Sequence, residues 1–172
     1  YEPKSGSAAI FTTSAVTAAV NYAAANGASV INMSFGVQGK PDEFPSITSA
    51  VTDAINKGVV VIAAAGNNGY SESDFPANIP GVISAGSVEQ DGKRSTFSNY
   101  GTDVDIYATG NKVYGAYPEG NHSQTGAVPH TTQIGKKTYD VGTGTSFSTP
   151  LVSGLAGLIV SRDSSLKGEK LI

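Results

Sequence analysis

The chain contains no cysteine. That excludes a disulfide framework, a thiol nucleophile and a thiolate metal site, and it leaves the redox compartment open. Charge is scarce as well. Only 15% of the 172 residues are Asp, Glu, Lys or Arg, and the net charge is -3. No basic stripe exists to neutralise phosphates, so no nucleic-acid partner is expected. No apolar run is long enough to cross a membrane as a helix, so no membrane partner is expected either. No stretch has the make-up of a secretory signal peptide. The first residue is Tyr1 rather than methionine, which predicts a processed or excised segment. Histidine is nearly absent: His122 and His130 are the two in the chain, and both fall within residues 110–141.

What is present reads as a folded α/β protein. Apolar runs are frequent and net charge is small, which argues against disorder. With 21 glycines and 39% hydrophobic residues, tight packing and many turns are expected. The length suits one domain with a real core. Residues 12–26 read as a helix, with Ile10, Val16, Val20 and Ala23 near one face and Gly27 as its stop. Residues 30–33 read as a strand, 39–45 as a loop, and 46–57 as a helix whose Ile47, Val51, Ala54 and Ile55 share a face. The continuous apolar run 59–65 fits a buried parallel strand. Strand, helix and strand at these lengths form a βαβ unit. Further short strands are expected at 82–85 and 104–107, then a long hairpin or loop over 110–141. The last strong helix is 147–160, where Pro150 should tighten or bend the first turn.

Ligands of an open parallel sheet bind beyond the carboxyl ends of its strands. Ser34-Phe35-Gly36 follows one such end and Asn67 another, and Ser146 opens the final helix at the same rim. The run Gly142-Thr143-Gly144-Thr145-Ser146-Phe147-Ser148-Thr149-Pro150 sets a serine at a glycine-rich helix entry. Helix N-termini carry unpaired N–H groups and partial positive charge. A serine there either caps the helix or, given a base, serves as a nucleophile facing backbone donors. Asn67 in Gly66-Asn67-Asn68-Gly69 is by itself an ordinary turn residue, because asparagine tolerates left-handed backbone. Gly142-Thr143-Gly144 lacks the third glycine of a nucleotide fingerprint, and Asn121-His122-Ser123 matches a glycosylation acceptor of a kind common by chance.

Together, the runs at 142–150 and 59–69 resemble the subtilisin-like serine proteases (subtilases, peptidase family S8). The serine run resembles that family's G-T-S-x-A-x-P motif, with Ser148 at the usual alanine position. The resemblance implies that Ser146 is the nucleophile and that Asn67 donates its amide to the oxyanion beside the serine N–H. Asn68 is left a structural role. Val30 to Gly36 resembles the edge that pairs with peptide substrate, which makes Ser34, Phe35 and Gly36 substrate-binding, with Ala64, Ala65 and Gly66 opposite. Phe75-Pro76 resembles a Tyr-Pro pair whose bond is often cis. The preceding Asp74 then stands at the floor of the pocket for the residue before the scissile bond. A carboxylate there would pair with lysine or arginine; its bland alternative is a solvated loop residue.

Two family motifs do not occur. One is a histidine opening a helix in an H-G-T-H-type setting. The other is an aspartate after a strand in a D-T-G or D-S-G setting. Asp42, Asp53 and Asp74 precede or flank Asn67, yet none follows an apolar strand in that way, and His122 and His130 read as surface loop residues. Residues 1–172 are accordingly identified as the C-terminal part of one subtilisin-like catalytic domain. The implied fold is α/β, three-layer, with a mostly parallel sheet, and incomplete. The implied activity is serine endopeptidase chemistry on peptide or protein substrates, outside the cell. The missing N-terminal segment would be a partner that brings the base, and the chain alone would be inactive. A non-catalytic pseudoprotease module that binds peptides is the alternative. Another α/β hydrolase is disfavoured, since no G-x-S-x-G elbow surrounds Ser146 and no histidine follows it. Calcium is an ion the family often binds, but Asp and Asn in these loops form no oxygen cluster at readable spacing, so no metal site or cofactor is assigned.

Overall fold

The computed structural model describes residues 11–116, 131–134, 137–166 and 168. Helix α1 (Thr13–Ala25) starts where the Thr12 hydroxyl accepts from the Ala15 N–H at 3.2 Å, an N-cap that satisfies one free donor. Its Val16 and Val20 are buried. Strand β1 (Val30–Met33) follows, then a short 3₁₀ turn at Pro41–Glu43 inside the expected loop. Helix α2 (Pro45–Asn56) opens on a proline, whose fixed φ suits the first helical position. It buries Ile47, Ala50, Val51, Ala54 and Ile55.

Strand β2 (Val60–Ala64) is buried throughout. With β3 (Ile83–Val88) and β4 (Ile106–Thr109) it completes a parallel sheet in the order β1-β2-β3-β4. The side chains of β2 alternate between the two faces of the sheet. Val61 and Ala63 pack in one core with α1 and α2. Val60 and Ile62 pack in a second core with Ile83, Ala85, Val152, Ala156 and Val160. The last three belong to helix α3 (Thr145–Arg162), so helices cover both faces and three layers result.

Two strand boundaries differ from the sequence reading. The third strand runs on to Val88 because its serines are satisfied internally. Ser84 Oγ lies 2.7 Å from Ser73 Oγ, and Ser87 Oγ lies 2.8 Å from Ser95 Oγ. The fourth strand begins two residues late. The Asp105 carboxylate, not a backbone carbonyl, accepts the Ser84 N–H at 2.7 Å, and the ladder starts after it. Within 110–141, read as a long hairpin or loop, the described residues include strands. Strands β5 (Val113–Ala116), β6 (Thr131–Ile134) and β7 (Lys137–Gly142) form an antiparallel sheet in the order β5-β7-β6, and β7 leads into α3. Asn121, His122 and His130 lie outside the described residues.

Helix α3 starts earlier than expected and places Ser146 in its first turn. It continues through Pro150, which lacks the N–H that the Ser146 carbonyl would otherwise receive. The helix is apolar on more than one side. Val152, Ala156 and Val160 face the sheet, whereas Leu151, Leu155 and Leu158 are 50%, 50% and 70% exposed. No helix among the described residues is long and apolar enough to cross a membrane.

Candidate active site

Strand β2 delivers Ala64, Ala65 and Gly66 to the carboxyl edge of the sheet, where ligands of such sheets bind. The first turn of α3 arrives at the same place from β7. Gly144 takes φ +145°, a conformation that side chains disfavour, and its N–H reaches the Gly110 carbonyl at 2.7 Å just past β4. A side chain at position 144 would come within 3.5 Å of the Asn67 amide. The asparagine therefore lies against the entry to the helix.

The orientation of that amide is fixed by its partners. Asn67 Oδ1 accepts from the Thr145 N–H at 2.8 Å and from Thr145 Oγ1 at 3.0 Å. A backbone N–H can only donate, so the amide oxygen must face Thr145. The Nδ2 group points the other way, and no described residue accepts from it. Thr145 is fully buried, and its hydroxyl also accepts the Gly66 N–H at 3.3 Å. Next in the chain is Ser146, half-buried, with no described side chain bonded to its hydroxyl. At this helix position its N–H has no intrahelical acceptor. A hydroxyl, a free N–H and an amide with free donors are thus brought together.

The expected substrate segments also meet. Val37 and Phe75 exchange two backbone hydrogen bonds of 2.9 Å, which ties the 34–37 segment to the residues after Asp74. A side chain at Gly36 would stand 3.1 Å from the Phe75 carbonyl oxygen, 3.3 Å from Asp74 Cβ and 3.8 Å from the Ala64 carbonyl oxygen. Gly36, Ala64 and Asp74 therefore converge. Ser34 Oγ accepts from Asn32 Nδ2 at 2.9 Å, while Ser153 on α3 donates to Asn32 Oδ1 at 2.9 Å. Phe35 turns toward α1, where its ring meets Phe11 with centroids 5.3 Å apart. The side chains of Ala64 and Ala65 are buried, and the Ala65 backbone is already bonded: its N–H donates to the Ala85 carbonyl at 3.0 Å and its carbonyl accepts from Asp74 and Asn99. The Phe75-Pro76 bond is cis.

Asp74 is not a solvated loop residue. It is 8% exposed, and its N–H donates to the Ala65 carbonyl at 2.8 Å. Its carboxylate accepts from Asn99 Nδ2 at 3.2 Å and from Asn68 Nδ2 at 3.4 Å. Burial pushes its pKa up, the Asn99 hydrogen bond opposes that rise, and the negative charge of Glu72 adds to it.

Two residues of the site escaped the sequence reading. Thr145 sits inside the serine run, where its neighbour drew the attention. Asn99, in the loop between β3 and β4, is fully buried and bonded on every side, yet nothing around it in sequence marks it. Among the described residues no group of three or more histidine or acidic side chains is placed to hold a metal ion.

Comparison with known proteins identifies the family. A sequence model described as the subtilase family matches residues 1–171. Thermitase from Thermoactinomyces vulgaris is 37% identical over 155 residues, covering 90% of this chain and 48% of the relative. Subtilisin DY from Bacillus licheniformis is 34% identical over 164 residues, covering 93% of this chain and 53% of the relative. A solved cold-adapted subtilisin-like serine proteinase superposes with a TM-score of 0.75 at 31% identity, covering 94% of this chain and 53% of its own. The chain thus spans about half the length of these relatives. The chain belongs to the subtilase family.

Proposed function

We propose that this chain supplies the nucleophile and the oxyanion hole of a serine endopeptidase. Ser146 Oγ attacks the scissile carbonyl carbon and passes its proton to a base. The carbonyl oxygen becomes negative and accepts from Asn67 Nδ2 and the Ser146 N–H. The C–N bond then breaks, the base returns the proton to the leaving amine, and an acyl-serine remains for water to hydrolyse. The observation that carries this reading is the Thr145–Asn67 contact. It aims a free amide away from the helix one residue ahead of Ser146. The bonding potential is spent on orientation, as a preorganised donor requires.

The base and its carboxylate belong to the part of the protein that this chain lacks, an N-terminal segment in family order. Two features favour such a partner. Strand β1 has no neighbour on its outer edge among the described residues, and beside it lies an apolar groove lined by Phe11, Val16, Ile31, Met33 and Phe35. Leu151, Leu155 and Leu158 are exposed on α3, as on a helix meant to be buried on more than one side. Substrates are peptides or proteins. Ionised Asp74, enclosed by Gly36, Ala64 and Gly66, favours lysine or arginine before the scissile bond. Action outside the cell fits the family.

The test is covalent labelling with a fluorophosphonate probe. In the intact parent protein the probe should modify Ser146 stoichiometrically, and Ser146→Ala should abolish it. The 172-residue chain alone should label weakly or not at all, since a serine without a base is a poor nucleophile. Rapid labelling of the chain alone would place the base within it. Absence of labelling in the parent would reject the protease reading.

A further inference from the structure

Asn99 uses its whole hydrogen-bonding capacity at this site. Its Oδ1 accepts from the N–H groups of Asn68 at 3.0 Å and Tyr70 at 3.1 Å. Its Nδ2 donates to the Ala65 carbonyl at 3.0 Å and to Asp74 Oδ1 at 3.2 Å. Its own N–H donates to the Gly66 carbonyl at 3.0 Å. A side-chain amide offers two acceptor positions and two donors, and here all four are taken. The residue comes from a loop that carries neither the serine nor the substrate segments. It grips the 65–70 turn on both sides of Asn67 and holds the pocket carboxylate with the same amide.

We infer that Asn99 is a positioning residue that couples the oxyanion amide of Asn67 to the Asp74 carboxylate, so that one buried side chain sets both rate and preference. The inference rests on the protease reading above. Its physical basis is the rigidity of a fully satisfied buried amide. A buried polar group with every bond made has one low-energy orientation, and losing any bond leaves an unpaired partner. Asn67 itself is exposed, and Thr145 holds it only from the α3 side. Without the Asn99 side chain the turn would keep Thr145 and the backbone bonds of Gly66 to Asn99, Gly69 to Phe97 and Tyr70 to Tyr100, and lose the ties at Ala65 and Asn68 that bracket Asn67 most closely.

The test is Asn99→Asp in the intact parent protein, which is nearly isosteric. The new carboxylate still accepts from Asn68 and Tyr70. Its other oxygen faces the Ala65 carbonyl and the Asp74 carboxylate, so two attractions become repulsions. For a peptide with leucine before the scissile bond, kcat per fluorophosphonate-titrated site should fall, on the order of 10- to 100-fold, with KM little changed, as a misplaced donor predicts. The lysine-over-leucine ratio of kcat/KM should shift in the same variant. Adding Asp74→Asn removes the charge repulsion and restores a donor, so kcat should recover by about tenfold as coupled neighbours do. A purely structural role would lower the titrated fraction and leave kcat per site unchanged. Unchanged kcat per site with an unchanged ratio overturns the inference, as does a double variant no faster than Asn99→Asp. A wild-type parent that cleaves no peptide would sink the protease reading instead. The crystal structure of Asn99→Asp would then decide, and an unmoved Asn67 amide and Asp74 carboxylate would overturn the coupling.

Discussion

Replacing Gly66 with alanine tests the packing behind the turn that carries Asn67. Gly66 is buried and takes φ +110°. Holding a residue with a side chain in such a sparsely populated region costs about 1–3 kcal/mol. The added Cβ would also stand 2.5 Å from Asp74 Oδ2 and 2.6 Å from Asp74 Cγ, and closer still to Asn99 Nδ2. Contacts that short must open by roughly 1 Å, and overpacking of this kind costs about 1–3 kcal/mol. The combined loss is about 2–6 kcal/mol, a large part of the roughly 5–15 kcal/mol that holds a typical domain folded. A control separates the two contributions. Gly92 has φ +81° and nothing within 4 Å of an added Cβ, so Gly92→Ala carries backbone strain alone. Urea unfolding of the parent protein and both variants gives the comparison. Gly66→Ala should lie well below Gly92→Ala in midpoint with a similar slope. Equal midpoints would mean that Asp74 and Asn99 do not press on Gly66, and the described site would be wrong there.

Further outcomes concern activity and its dependence on pH. Asn67→Leu in the intact parent should lower kcat on the order of 100- to 1000-fold while KM holds, a magnitude that belongs to the subtilisin family itself; a raised KM at constant kcat would make Asn67 a substrate-binding residue instead. Asp74→Ser should reverse a preference for lysine or arginine over leucine or phenylalanine and spare cleavage after the apolar pair. In the wild type that preference needs the ionised carboxylate, whose pKa lies above the ordinary value of 3.8, so the lysine-over-leucine ratio should climb with pH through a midpoint above it. The sign for stability is opposite: the native state holds the Asp74 proton more tightly than the unfolded chain, so this group's contribution falls as pH rises through the same window. Relative to Asp74→Asn, the wild type should lose stability across that interval, and a flat or rising difference would contradict the burial of Asp74.

Periodicity made the outer frame legible. The apolar run at 59–65 became β2, and the spacing of Ile47, Val51, Ala54 and Ile55 became the buried face of α2. Ser146 and Asn67 were singled out by the resemblance of their glycine-rich runs to family motifs, since each alone reads as a helix cap or a turn residue. Serines and an aspartate hid the limits of β3 and β4, since Ser84, Ser87 and Asp105 find their partners only after the chain has folded. Leu155 and Leu158 are apolar, yet they are exposed because nothing among the described residues covers that side of α3. Asn99 was invisible for a related reason. Its partners at Ala65, Asn68 and Asp74 lie 25 to 34 positions away, and no spacing rule joins them.

The central claim is that Ser146 and Asn67 act together on one carbonyl. A crystal structure of the intact parent with a peptide boronic acid tests it most directly, because the tetrahedral boronate stands in for the charged intermediate. Ser146 Oγ should be bonded to boron, with one boronate oxygen within about 2.7–3.1 Å of both Asn67 Nδ2 and the Ser146 N–H. Asn67 Oδ1 should still face Thr145. Boron bonded elsewhere, or an Asn67 amide turned away from the boronate oxygen, would contradict the account.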